Sequence, residues 1–172
     1  ALMPMSLPLL TPEGYVAFQA RLGMGPSQME RGEASALPQY YADRFGWEEL
    51  AAFVAEHYEP LAPENDTPLT IIVGNYGEAG ALEYYSDQYA LPRVVSGHNN
   101  YYLWGPGDFS GDSFLAYGID REQLEATCES VEELARFEHP YVMPYENNLP
   151  LYHCRGLKKP IAEIWPLAKR FI

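Results

Sequence analysis

The sequence predicts an α/β fold: a three-layer, Rossmann-like α/β sandwich with a mostly parallel sheet of about five strands and flanking helices. Three observations predict it. Short apolar runs of strand length are separated by segments with helical spacing. Their order along the chain reads β-α-β-β-α-β. The first two of these runs, with a helix between them, each end in glycine and polar or aromatic residues: Gly74-Asn75-Tyr76-Gly77-Glu78-Ala79-Gly80 and Ser96-Gly97-His98-Asn99-Asn100-Tyr101-Tyr102. If the two strands lie parallel and adjacent, both loops share one rim, where open α/β sheets bind their ligands.

Each element has its own local signal. Thr11-Pro12-Glu13 reads as N-cap, first-turn proline and first-turn acid, and opens a helix through Arg21 that stops at Gly23. Met24 to Leu37 reads as an exposed connection. Leu50, Phe53, Val54 and His57 then recur at helical spacing with Glu48, Glu49 and Glu56 among them. A turn rich in proline and acid spans Pro60 to Pro68. Leu69 to Val73 is a buried-type strand, followed by a helix from Gly77 to Tyr89 and a strand from Arg93 to Val95. Ser113 to Tyr117 is the third strand, and Asp120 is placed to cap a helix to Thr127. Val131 to Phe137 is the fourth strand, Pro140 to Asn148 a turn, and Leu149 to Cys154 the last strand. Ile161 to Phe171 reads as a closing helix despite Pro166.

The totals restrict function. In 172 residues, 47% hydrophobic against 20% charged describes a chain that folds on a core. A net charge of −13 argues against nucleic acid as a partner and against a peripheral domain held on anionic lipid by charge alone. Fourteen tyrosines supply flat apolar faces carrying a hydroxyl, suited to core edges and to sugar stacking. Cys128 and Cys154 do not form a CxxC pair, and four histidines show no ligand spacing, so neither a metal nor a redox centre is expected.

Cofactor motifs fail on detail. Gly74, Gly77 and Gly80 give GxxGxxG rather than GxGxxG, and Ser96-Gly97-His98 stands where a ribose-binding acid belongs. No Walker loop occurs. No cofactor is expected, and Ser96 lacks the setting of a hydrolase nucleophile. What remains is a polar and aromatic rim. Asn75 and Asn99 are candidate hydroxyl or phosphate contacts, beside the free N–H groups of a helix start. His98 and Asn100 add donors, and Tyr76 and Trp104 add ring faces. Tyr145, Glu146 and Asn147 precede the last strand and are expected to complete the rim. Glu78 and Glu146 would be the carboxylate pair of a glycoside hydrolase. Against this stands a structural role, with glycines for packing and Glu78 serving the helix dipole.

These stretches also carry a family resemblance. Ala42-Asp43-Arg44-Phe45-Gly46-Trp47-Glu48-Glu49, the two rim loops extended to Ala81 and Gly105, Pro144-Tyr145-Glu146-Asn147-Asn148-Leu149-Pro150 and Cys154-Arg155-Gly156 resemble one group of proteins. These are the C-terminal regions of bacterial integral-membrane glycosyltransferases, of the protein mannosyltransferase and aminoarabinose transferase kind. The resemblance runs from about Thr11 to the C-terminus. It implies a parent enzyme that uses a polyprenyl-phosphate-linked sugar. The catalytic acid of such enzymes lies in a multi-spanning part absent from this chain, so no catalytic residue is carried over.

The apolar segment 1–10 would then follow a transmembrane region, the partner of this chain within its own protein. Residues 11–172 would be a single soluble domain outside the cytoplasmic membrane. There a Cys128–Cys154 disulfide becomes feasible if the strands bring the two close enough. The expected role is binding or positioning of a lipid-linked sugar or glycan acceptor. The alternatives are a structural module that clamps the membrane domain or a partner, and an independent hydrolase.

Overall fold

The computed structural model describes residues 3–7, 9–28, 34–62 and 69–171. Parts of the apolar start, of the connection before Leu37 and of the turn ending at Pro68 lie outside the described residues. The chain forms two compact units, one built from residues up to Gly46 together with Glu138–Asn148, the other from Trp47–Phe137 and the residues from Leu149 onward.

In the first unit, one helical turn, α1 (Met3–Ser6), precedes α2 (Pro12–Arg21). The Thr11 hydroxyl accepts from Gly14 N at 3.2 Å and Pro12 occupies the first turn, so α2 begins where the capping residues place it. The connection contains a minimal antiparallel ladder, β1 (Ser27–Gln28) with β2 (Ala34–Ser35), before α3 (Gln39–Ala42). Tyr15, Leu37, Tyr41, Ala42 and Met143 form the core of this unit. Tyr15 and Tyr41 rings lie 4.6 Å apart, and the Tyr15 hydroxyl is 2.8 Å from that of Tyr40. Aromatic packing thus supplies much of the buried surface of a small unit.

The second unit carries α4 (Trp47–Tyr58), β3 (Thr70–Val73), α5 (Tyr76–Tyr84), α6 (Ser86–Tyr89), β4 (Val94–Ser96) and α7 (Asn100–Trp104). Then follow β5 (Ser113–Tyr117), α8 (Arg121–Thr127), β6 (Cys128–Phe137), β7 (Leu149–Leu157) and α9 (Ile161–Ile164). The fold is mixed α/β with a five-stranded open sheet in the order β4-β3-β5-β7-β6. β3 runs parallel to both neighbours, with Ile71 opposite Val94 and Leu115. β7 and β6 continue the sheet antiparallel, with Leu115 opposite His153 and a bulge between Glu133 and Ala135. The parallel character is therefore confined to the three core strands. No crossover helix separates β6 from β7, and an antiparallel pair needs none.

Strand parity sorts the core. Phe114 and Ala116 of β5 and Tyr152 and Cys154 of β7 cluster with Leu124 of α8 and with Phe109. The alternate positions Ile71, Val73, Leu115, Tyr117 and Leu151 are equally buried on the opposite side. Four consecutive β5 residues are buried, as expected of a strand covered on both faces. Ser113 Oγ and His153 Nε2 meet at 2.7 Å and tie β5 to β7.

All five expected strands are present. The expected helix from Gly77 to Tyr89 is interrupted at Tyr85 and ends on Ala90 in the left-handed region. Asp120 is the N-cap residue of α8, although its side chain makes no capping bond. Two departures are larger. The second rim loop contains the helix α7, and the closing helix stops after α9 in a 3-10 turn, Trp165–Ala168. No helix among the described residues is long and apolar enough to cross a membrane.

Ile71 is fully buried at the centre of the parallel core. Ile71→Ala is expected to lower unfolding free energy by about 3 kcal/mol in urea titrations, whereas a loss under about 1 kcal/mol would contradict this placement.

Candidate functional site

β3, β4 and β5 are parallel and adjacent, so their C-terminal ends share one rim, and both glycine-bearing loops emerge there. Glycine permits the convergence. Gly74 N donates to Tyr117 O at 3.0 Å, and a Cβ on Gly74 would lie 2.0 Å from Gly118 O. Gly118 has φ of +65°, and a Cβ there would fall 2.5 Å from Glu78 Oε1. The loop after β5 thus passes directly over the first turn of α5.

Asn75, Glu78, Ser96 and His98 at the rim bond to the protein itself. Asn75 Oδ1 accepts from Glu78 N at 2.9 Å, and Glu78 Oε2 accepts from Asn75 N at 3.0 Å, a reciprocal capping box. Tyr76 N donates to His98 Nδ1 at 3.3 Å and so joins the first loop to the second. His98 N in turn donates to Ser96 Oγ at 3.2 Å. Glu78 is 3% exposed, His98 2% and Ser96 0%. Three N–H groups at the α5 start, the groups a phosphate would need, are already bonded. A carboxylate buried this deeply is held by the capping box and has no open face for acid–base work.

The second loop is covered by the chain's own C-terminal tail. Arg170 N donates to Gly97 O at 2.9 Å and Asn99 N donates to Arg170 O at 2.8 Å, forming a parallel bridge between His98 and Arg170. A Cβ on Gly97 would lie 2.1 Å from Ala168 O, so this approach requires glycine. Trp165 stacks on Tyr102 with centroids 5.5 Å apart and planes 6° from parallel, and its Nε1 donates to Tyr102 O at 3.3 Å. Pro166, in the first turn of the 3-10 segment, is the sequence signal that an uninterrupted closing helix was the wrong reading.

Asn99 adopts φ of +51° as the residue preceding α7, and Asn100 opens that helix with its side chain exposed. The aromatic candidates are accessible: Tyr76 is 53% and Trp104 64% exposed. Trp104 packs edge-on against Tyr101 at 4.6 Å, and the Tyr101 hydroxyl donates to Glu83 at 2.6 Å. Burial and that neighbouring carboxylate push the Tyr101 phenol well above its ordinary range.

Tyr145, Glu146 and Asn147 belong to the other unit, in and after the 3-10 turn Pro144–Glu146. Tyr145 packs against the tyrosine core, Glu146 N donates to Met143 O at 2.9 Å, and Asn147 Oδ1 accepts from His139 N at 2.9 Å. These residues close their own loop. The same unit holds a cavity of about 380 Å³ between α2 and the Pro140–Val142 segment, which the sequence reading missed. Val16, Ala17, Ala20, Leu37 and Val142 make it largely apolar. At its edge the Tyr141 hydroxyl donates to the Glu13 carboxylate, which holds that carboxyl below the usual range.

Cys128 and Cys154 are buried free thiols in one core cluster, and Cys128 Sγ lies 3.7 Å from Thr127 Oγ1. The neighbouring Cys154 thiol is the main reason the Cys128 thiol is lowered to about 7, with burial opposing it, and Cys128 and burial raise the Cys154 thiol.

Asn75→Ala removes the side-chain half of the capping box and is expected to cost about 1 kcal/mol in chemical denaturation. A neutral result would mean the cap is not formed. Gly97→Ala is expected to displace the tail, seen as a changed emission spectrum of Trp165; an unchanged spectrum would contradict the tight contact. The Glu13 carboxylate is stabilised by Tyr141, so this contribution is present above the ordinary carboxyl value of 4.5 and lost as pH falls through the lowered one. Tyr141→Phe should raise the Glu13 midpoint in an NMR titration, and an unmoved midpoint would refute the bond.

The chain matches no family model, no curated protein and no solved structure.

Proposed function

We propose that this chain is a non-catalytic interaction module, carried on the extracytoplasmic side of a bacterial integral-membrane glycosyltransferase that uses a polyprenyl-phosphate-linked sugar. In this reading its second unit is a three-layer, Rossmann-like scaffold that holds the membrane domain or a partner in place. The observation that carries the proposal is the internal bonding at the rim: Asn75 and Glu78 cap each other, His98 Nδ1 accepts from Tyr76 N, and the tail lies across Gly97 and Asn99. A rim built to grip a sugar-phosphate would leave those donors and acceptors facing open space. The sugar-specific assignment rests on the resemblance of the sequence blocks described above.

One observation favours a second reading, in which the rim touches an acceptor sugar. Tyr76 and Trp104 present more than half of their surface, and an exposed ring face can stack on the C–H side of a pyranose. The two readings part in the full-length enzyme assayed in membranes. As a module, Asn75→Ala and His98→Ala lower the amount of folded protein, while turnover per folded enzyme and acceptor KM stay at wild type for these and for Tyr76→Ala. A severalfold rise in acceptor KM for Tyr76→Ala or Trp104→Ala, with normal expression, would overturn the module reading in favour of sugar contact.

A further inference from the structure

The C-terminal tail lies over the rim as a tethered strap. Ile161 packs against the core cluster around Phe114, Tyr152 and Cys154 and fixes the tail at its base. Among the described residues beyond Trp165 none is buried: Pro166 to Phe171 are all exposed, Leu167 by 83% and Phe171 by 51%. The ring contacts of this stretch converge on Tyr102. Trp165 stacks on it, Phe171 meets it edge-on at 6.1 Å, and Lys169 Nζ lies 5.7 Å from its centroid. At the rim itself the hold is backbone: Arg170 N donates to Gly97 O and Asn99 N donates to Arg170 O.

A segment held in this way separates from the fold before the sheet does, because it loses few apolar contacts and water reaches its hydrogen bonds. Its departure exposes one carbonyl, on Gly97, and one N–H, on Asn99, two residues apart. An acceptor and a donor at that spacing are the repeat of a parallel β ladder, and the bridge between His98 and Arg170 is parallel. Gly97 keeps the approach open to a bare backbone, since a Cβ there would stand 2.1 Å from Ala168 O. Asn99 holds φ of +51°, a costly conformation of the kind found in ligand clamps. The seat therefore reads main chain, and Tyr102 beside it reads an aromatic side chain.

We infer that this seat receives an extended peptide segment of a partner protein by strand addition, and that the tail is its displaceable occupant within the chain. The tail shows what such a segment carries: an aromatic residue to stack on Tyr102, a basic residue over the same ring, and a backbone to pair with Gly97 and Asn99. A chain of net charge −13 attracts a basic segment. The tail, being covalently attached, competes at high effective concentration, so a partner's apparent affinity is reduced by the fraction of chains that are open. The inference rests on the reading of this chain as an interaction module and names what the module receives. Peptide binding is a property of the chain alone, so it can fail while the membrane assay still supports the module.

The test is an NMR titration of the isotope-labelled 172-residue chain with a synthetic peptide of residues 164–171. Trp165→Ala in the chain loosens its own tail and leaves the seat intact. Millimolar peptide is expected to shift the Gly97 and Asn99 amides of this variant, with affinity about fivefold higher than for the wild-type chain. The same peptide N-methylated at Arg170 lacks the N–H that meets Gly97 O, and should bind about tenfold more weakly with no change to the protein. Gly97→Ala should abolish binding and Arg121→Gln, outside the seat, should leave it unchanged, with thermal melts establishing that each variant is folded. In the free wild-type chain the Asn99 amide should exchange about a hundredfold faster than that of Ile71. Equal protection of those two amides would overturn the inference, as would unmoved Gly97 and Asn99 amides in the Trp165→Ala chain or binding indifferent to N-methylation. Shifts produced by a sugar-phosphate and not by the peptide would assign the seat to a sugar ligand instead.

Discussion

The rim depends on how close the ends of β3 and β5 can come. Gly74 and Gly118 let two backbones meet where any side chain would collide, and that contact closes the space above the first turn of α5. Once it is closed, the polar groups beneath it lose water and must find partners in the protein. Asn75 and Glu78 find each other, Tyr76 N finds His98, and His98 N finds Ser96. Each bond contributes about 1 kcal/mol net, but leaving one of these groups buried and unbonded would cost more. The lock therefore follows from the convergence of the strands.

The same logic extends to the second loop through a different element. Gly97 admits the backbone at Ala168, and the tail then adds its own hydrogen bonds to Gly97 and Asn99. Trp165 stacked on Tyr102 holds the tail at its other end. Residues that read as an open polar rim are thus sealed twice, once by the loop after β5 and once by the C-terminus. Of these residues Tyr76, Asn100 and Trp104 keep substantial contact with solvent.

Much of this was legible in the sequence, and the parts that were not share a cause. The five strands announce themselves as apolar runs, and Thr11-Pro12-Glu13 marks the start of α2. Asn75 and Glu78 stood out at the correct spacing, yet asparagine followed three residues later by glutamate describes a capping box and a hydroxyl-binding pair equally well. Burial decides between them, and burial is set by Gly118, 40 positions beyond Glu78 along the chain. The antiparallel side of the sheet was hidden because a strand's composition does not encode its neighbour's direction. The tail was misread as a continuous helix since its residues have helical spacing, and only Pro166 hints at the 3-10 turn and the extended bridge beyond it. Tyr145, Glu146 and Asn147 lie close to the last strand in sequence, but they serve a loop of the other unit.

The most direct measurement of the internal lock is amide hydrogen exchange at Asn75, Tyr76 and Glu78. If these N–H groups are bonded within a closed rim, they exchange with protection approaching that of Ile71, whose amide bonds to Arg93 O in the sheet, and added sugar-phosphate leaves them unchanged. Exchange at the rate of an exposed loop, slowed when a sugar-phosphate is added, would contradict the account and return the rim to a binding role.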